Sequence, residues 1–216
     1  MNFAKFFNHL FLLKDEEDVP AKVRPFPGKA KFLVITDTHS TIHKWKDRLP
    51  EDFTGYDACL VLGDVTGKDI FFIQENVLKK GLTCIGVLGN HDDIGGYDNT
   101  GIEEISGKVI TLPNGIRIGG LSGSLRYKND DAPLITDEES LEILGNMGEC
   151  DLLITHDSVK HPEKDFAHSG LIGISEYLEK WNVPLHFYGH YHDPKEEILK
   201  NGTRSICFYG IMTIEV

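Results

Sequence analysis

Lys31-Phe32-Leu33-Val34-Ile35-Thr36-Asp37-Thr38-His39 is the stretch from which the organisation of this 216-residue chain can be read. Residues 31–36 form a short, nearly continuous apolar and β-branched run, the pattern of a strand covered on both faces. The run ends on Asp37 and His39. Residues two apart in an extended segment point the same way, so these two side chains can aim at one point.

The same grammar recurs along the chain. A strand over 58–62 ends on Gly63-Asp64, one over 82–88 on Gly89-Asn90-His91-Asp92, one over 151–154 on Thr155-His156, and one over 185–188 on Gly189-His190-Tyr191-His192. Helices are predicted between them over 42–49, 69–80, 137–147 and 171–181, the third opened by Thr136 as N-cap with acidic residues in its first turn. Pro113-Asn114-Gly115 and Asn201-Gly202 mark two hairpins, 108–112 with 116–121 and 196–200 with 204–208.

Strand-helix alternation of this kind defines an α/β protein. In open α/β sheets the ligand site lies beyond the carboxyl ends of the strands, where the polar clusters sit. Periodicity leaves open whether the strands form one doubly wound sheet or two packed sheets.

The domain reading is a segment 1–30, an N-terminal helix followed by a connector with Pro20, Pro25 and Pro27, and a main domain over 31–216. The apolar stretch 3–13 is interrupted by Asn8 and His9 and is far shorter than the roughly 20 residues that span a bilayer. It reads as a helix packed on the domain or lying on a surface, and no transmembrane segment is expected.

A formal charge of −12 and a pI near 5.2 give a field that repels polyanions, which disfavours extended nucleic acid as a partner. Cys59, Cys84, Cys150 and Cys207 are scattered in apolar stretches without ligand spacing, which suits reduced core thiols and a cytoplasmic location.

Each polar cluster alone is a weak signal, since a single His at a strand end is commonly structural. Together the five clusters, Asp37-x-His39, Gly63-Asp64, Gly89-Asn90-His91-Asp92, His156 and Gly189-His190-x-His192, resemble the ordered signature of the calcineurin-like metallophosphoesterases. The resemblance covers residues 32–192. Softer echoes occur at residues 119–127 and 165–170.

The resemblance implies two mixed β-sheets packed as a sandwich flanked by helices. It also implies two metal ions: one held by Asp37, His39 and His192, the other by Asn90, His156 and His190, with Asp64 bridging them. His91 would be unligated and would donate a proton to the leaving oxygen or stabilise transition-state charge, while Asp92 orients His91 or a ligand.

Imidazole, carboxylate and carbonyl donors without thiolate suit Mn, Fe, Zn, Co or Ni, with manganese our first expectation. A shared water turned into a bridging hydroxide is the expected nucleophile, attacking a phosphate-ester substrate. Asp92 in place of Glu, and Lys68-Asp69 where protein Ser/Thr phosphatases carry Asp-Arg, lean toward a phosphodiesterase over a phosphomonoesterase. The competing reading is a scaffold subunit without turnover. Arg126, Tyr127, Asp165 and His168 are candidate substrate contacts, with an ordinary solvated loop as the alternative for each.

Overall fold

A computed structural model describes residues 23–216, so the helix read over 3–13 lies outside the described residues. In chain order the strands are β1 (Lys31–Thr36), β2 (Ala58–Val61), β3 (Cys84–Gly86), β4 (Ile102–Glu104), β5 (Val109–Thr111), β6 (Arg117–Leu121), β7 (Ser124–Leu125), β8 (Leu134–Ile135), β9 (Leu152–Thr155), β10 (Leu185–Tyr188), β11 (Lys195–Ile198), β12 (Arg204–Cys207) and β13 (Gly210–Glu215). The α-helices are α1 (Gly67–Asn76), α2 (Asp137–Gly145) and α3 (Ile172–Trp181).

The strands form two main sheets. One runs β13-β1-β2-β3-β4, and the other β11-β12-β10-β9-β6-β5. Both are mixed: β1 to β4 are parallel with β13 antiparallel at one edge, and β6, β9, β10 and β12 are parallel with β5 and β11 antiparallel at the edges. This settles the choice left by periodicity in favour of the sandwich.

The layering follows from alternation along each strand. Phe32 and Val34 of β1, Leu60 of β2 and Ile85 of β3 point inward to meet Ile118 of β6, Leu152 and Ile154 of β9 and Phe187 of β10. The alternate residues Leu33, Ile35, Cys59 and Val61 face outward under Ile42, Ile73 and Val77. On the far side Leu121 and Leu153 lie under Leu144 of α2 and Ile174 and Leu178 of α3. Because β1, β2 and β9 are covered on both faces, their apolar runs show no polar alternation.

Several boundaries differ from the sequence reading. Residues 42–48 form a 3-10 turn rather than an α-helix, and Ile42 is its one buried residue, too narrow a stripe to anchor a longer helix. The helix read over 69–80 starts at Gly67 and gives way after Asn76 to a 3-10 turn at Leu78–Lys80. The strand read over 82–88 pairs only through Cys84–Gly86, and its last residues turn into the site.

Strands β4, β7, β8 and β13 escaped the reading. The last of these pairs along the whole of β1. Thr136 caps α2 as read: its hydroxyl accepts from Glu139 N–H at 3.1 Å, and the Glu139 carboxylate accepts from Thr136 N–H at 2.7 Å. Residues 23–30 carry no helix or strand. Phe26 nevertheless packs on the central core, and Arg24 pairs with Glu149 and Asp151.

Candidate metal centre

Parallel pairing within each sheet and face-to-face packing of the two bring five strand ends to one edge of the sandwich. Asp37 and His39 follow β1, Asp64 follows β2, Asn90 and His91 follow β3, His156 follows β9, and His190 and His192 follow β10. The structure thus draws all seven candidate ligands together from both sheets. Two groups of donor atoms, Asp37 with His39 and His192, and Asp37 with Asp64 and His156, each fall within 4.8 Å of one another.

Asp64 spans the two halves. Its Oδ2 lies 3.5 Å from His39 Nε2 and 3.6 Å from His156 Nε2, while Oδ1 accepts the His91 N–H at 2.8 Å. His192 Nε2 stands 3.3 Å from Asp37 Oδ1 and 3.1 Å from His39 Nε2. Asn90 Oδ1 is 3.0 Å from His156 Nε2, and the His190 ring centre is 5.0 Å from that of His156.

The donor set fits a cation. His156 Nδ1 is 2.8 Å from the carbonyl of Leu62, an acceptor that fixes the proton on that nitrogen. Its Nε2 then faces the Asn90 oxygen at 3.0 Å and the Asp64 carboxylate at 3.6 Å, buried groups that a positive charge between them, a proton on Nε2 or a metal cation, would satisfy.

Electrostatics separate the imidazoles. Burial lowers the pKa of His39 and His190, with the neighbouring His156 adding to the effect on His190. For His156, burial is outweighed by the Asp64 and Asp37 carboxylates, and its pKa rises; for His192 the hydrogen bond to Asp37 raises it.

The backbone is strained where it presents these groups. Asp37, His39, Asp64, His190 and His192 all have positive φ, between 43° and 68°. Asp and His tolerate the left-handed region better than most residues, but each such residue still costs on the order of 1 kcal/mol and persists only where its surroundings hold it. Two glycines are needed for close approach: a Cβ on Gly89 would fall 2.2 Å from Asp64 Oδ1, and one on Gly189 would fall 2.4 Å from Asp37 Oδ2.

Asp92 sits beneath the site. Its Oδ2 accepts from Asp64 N–H at 2.8 Å and Gly89 N–H at 2.7 Å, and its Oδ1 from Val65 N–H at 2.8 Å. It therefore holds backbone rather than the His91 ring. Burial pushes its pKa up to about 6 against the pull of the Gly89 N–H.

The cleft above the centre has a volume of about 300 Å³ and is lined by His39, Asp64, Asn90, His91, Tyr127, Ala167, His168, His190, Tyr191 and His192. His91 is exposed there, its ring 5.1 Å from that of His39. Tyr127 lies with its hydroxyl 3.3 Å from Asn90 Nδ2. His168 lies 5.3 Å ring to ring from His190, with Asp165 behind it, 2.9 Å from His168 Nδ1.

Arg126 does not line the cleft. Its guanidinium donates to the Leu134 carbonyl and lies 3.9 Å from Glu139, because the pairing of β7 with β8 folds that side chain away. Two supports were not read as site residues. Tyr209 stacks on His192 at 4.8 Å and 19°, and Tyr191 joins Ser158 Oγ to the His168 carbonyl through its hydroxyl. Tyr191 occupies the variable place of Gly-His-x-His, which was the available signal.

The chain belongs to the calcineurin-like phosphoesterase family, whose model matches residues 30–194. It is thereby a metal-dependent phosphoesterase by class. No curated protein matches it by sequence. Among solved structures it is similar to TT1561 of Thermus thermophilus at 13% identity and TM-score 0.60, covering 83% of this chain and 89% of that one. It is also similar to the phosphopantetheinyl hydrolase PptH of Mycobacterium tuberculosis at 14% identity and TM-score 0.56, with coverage of 84% and 90%. A 5'-nucleotidase of Candida albicans shares the fold at 14% identity and TM-score 0.52, covering 82% of this chain and 45% of the other. At these identities the likeness is one of fold.

Proposed function

We propose that the protein hydrolyses a small phosphodiester at a dinuclear centre, with Asp37, His39 and His192 holding one ion, Asn90, His156 and His190 the other, and Asp64 bridging them. The observation that carries the diester preference is the lining of the cleft, which among the described residues contains no Lys or Arg. A diester presents one negative charge to the site, whereas a monoester dianion leaves a second for side chains to answer, and a guanidinium fork is the usual answer.

What two divalent ions, manganese by preference, supply when bound there is an acidified shared water as attacking hydroxide and a clamp on the phosphoryl oxygens. The protein's own groups do the rest. His91, exposed beside His39 and fixed through its N–H to Asp64, is placed to give a proton to the leaving ester oxygen as its bond to phosphorus breaks. Asp92 acts as a positioning residue on the Asp64 and Gly89 backbone. His168, with Asp165 behind it, and Tyr127 flank the place where the ester arms would lie.

The four cysteines are free and buried, which supports a reducing, cytoplasmic setting. Among the described residues no helix is long and apolar enough to cross a membrane.

The test is turnover of bis-p-nitrophenyl phosphate beside p-nitrophenyl phosphate by metal-stripped protein reloaded with Mn²⁺, with His91→Ala as control. Diester turnover that collapses in the mutant while both ions stay bound is the expected result. Monoester preference would overturn the diester assignment, and inactivity on both with two ions bound would favour the scaffold reading.

A further inference from the structure

His39 is delivered by a segment that leaves β1 but stays tied to the end of β2, through Asp37 N–H to the Gly63 carbonyl at 3.0 Å and His39 N–H to the Asp64 carbonyl at 3.1 Å. After Thr36 the chain leaves β1, and of the four residues 37–40, Asp37, His39 and Ser40 have φ of 53°, 43° and 63°. The 3-10 turn that follows begins at Ile42, and its N-cap residue Thr41 makes no side-chain capping bond. A run of left-handed residues followed by an uncapped turn would relax unless something outside the run held it.

The β2 end holds the run as far as His39; from Ser40 onward the hold comes from Asp69, on the first turn of α1, a helix that contributes no candidate ligand. The side chain is 1% exposed. Its Oδ2 accepts from Thr38 Oγ1–H at 2.6 Å and from Ser40 N–H at 2.7 Å, and its Oδ1 accepts from Ile42 N–H at 3.0 Å. The Thr38 hydroxyl and the Ile42 N–H flank the strained pair His39-Ser40 and the Ser40 N–H lies within it, so one carboxylate pins both sides of the bend that aims His39.

The other strained segments are held differently. Asp92, two residues from Asn90, holds the backbone at Asp64 and Gly89, and Asp37, itself a candidate ligand, accepts from His190 N–H at 3.0 Å. Those carboxylates touch both halves of the centre. Asp69 touches only the segment that carries His39.

We propose that Asp69 is a positioning residue that sets the affinity of one of the two ions, the one held by Asp37, His39 and His192, and leaves the other nearly untouched. The inference rests on the dinuclear reading above. An Asn at 69 keeps the shape but has a single acceptor oxygen, so its NH2 must face at least one of three donors, and the bend loses part of its clamp. Support of this indirect kind is typically worth 10- to 100-fold in metal affinity.

The experiment is calorimetric titration of the metal-stripped full chain with Mn²⁺, in wild type and Asp69→Asn, alongside the melting temperature of the metal-free proteins. Two sites per chain are expected in the wild type. In Asp69→Asn one site weakens roughly 10- to 100-fold and the other stays within about twofold. A second change, Ser40→Gly in the Asp69→Asn background, restores roughly fivefold or more, because glycine enters the left-handed region without a Cβ penalty. A merely structural carboxylate would show no such rescue. Should Asp69→Asn fail to fold, Thr38→Val removes one of the three bonds and should weaken the same single site by a smaller factor.

Equal weakening of both sites, unchanged affinities, or absence of rescue would each overturn the proposal. A wild-type chain that binds no Mn²⁺ would overturn the dinuclear reading itself and this inference with it. Two intact sites in both proteins would sink this inference alone.

Discussion

Where the parallel strands begin, charges are answered by charges; where they end, imidazoles crowd against carboxylates, an amide oxygen and one another. At the starting end Arg117 at the head of β6 meets Asp151 at 2.9 Å and Glu149 at 3.2 Å, and Arg24 joins both carboxylates. Nearby the Lys31 N–H donates to Asp57 at 2.8 Å and the Lys31 ammonium pairs with Glu215 at 2.9 Å. At the finishing end His39 and His192 face each other at 3.1 Å, His156 faces the Asn90 oxygen at 3.0 Å, and five ligand residues hold positive φ. The comparison teaches a division of labour: stability is built at the end that does no chemistry, so the other end can hold a strained, cation-hungry constellation ready-made.

Substitutions at the two ends should therefore fail in different ways. The largest effect belongs to the finishing end. His91→Ala is expected to lower diester turnover by roughly 10² to 10⁴, about 3–5 kcal/mol in barrier. Because the ring is exposed, unfolding free energy should move by less than about 0.5 kcal/mol. Parallel kinetics and urea titration check it, and a loss of stability matching the loss of rate would erase the division.

Metal addition comes next. If the finishing end waits for cations, Mn²⁺ at 100 times the dissociation constant of each site should stabilise the protein by about 2.7 kcal/mol per ion, seen as a rise in melting temperature. His156→Ala should remove the share of that rise that belongs to the ion it holds with Asn90 and His190. A melting temperature indifferent to Mn²⁺ would mean that these side chains are not brought together for a cation's sake.

The two ends also differ in how far sequence exposes them. The finishing end was legible because each ligand directly follows an apolar run, and because glycines mark the close approaches at Gly89 and Gly189. The fold class followed from the alternation, though the choice of two sheets over one came from the family resemblance. What stayed hidden depends on contacts between distant residues. Asp69 read as a helix-start residue, and its clamp on Ser40 and Ile42 spans 29 and 27 positions. Strand β13 has exposed alternate residues and is defined by pairing with β1 across nearly the whole domain. Arg126 read as a phosphate contact because its charge is local information, while its turning onto Leu134 is not.

The starting end provides the smaller effects. Asp151→Asn leaves Arg117 and Arg24 without their shared carboxylate. The guanidinium side chains are 34% and 27% exposed, so the expected loss is about 2 kcal/mol rather than the 3–5 of a fully buried pair. Turnover per folded molecule should be unchanged.

That same carboxylate sharpens the comparison through pH. Burial would raise the Asp151 pKa, but hydrogen bonds from Arg117 and Arg24 win and hold it down to about 2, below the roughly 3.9 of an unfolded Asp. A depressed carboxylate contributes its stability fully above the unfolded value and loses it as pH falls through the folded value, so the window lies between about pH 4 and pH 2. The difference in unfolding free energy between wild type and Asp151→Asn, measured by urea titration of metal-stripped protein, should be constant at pH 5 and above and shrink toward zero by pH 2. Comparing the two proteins at each pH cancels the carboxylates of the finishing end, which both share. A difference that persisted undiminished to pH 2 would mean that Asp151 acts through shape and neutral hydrogen bonds, and the starting end would then owe its stability to packing rather than to answered charge.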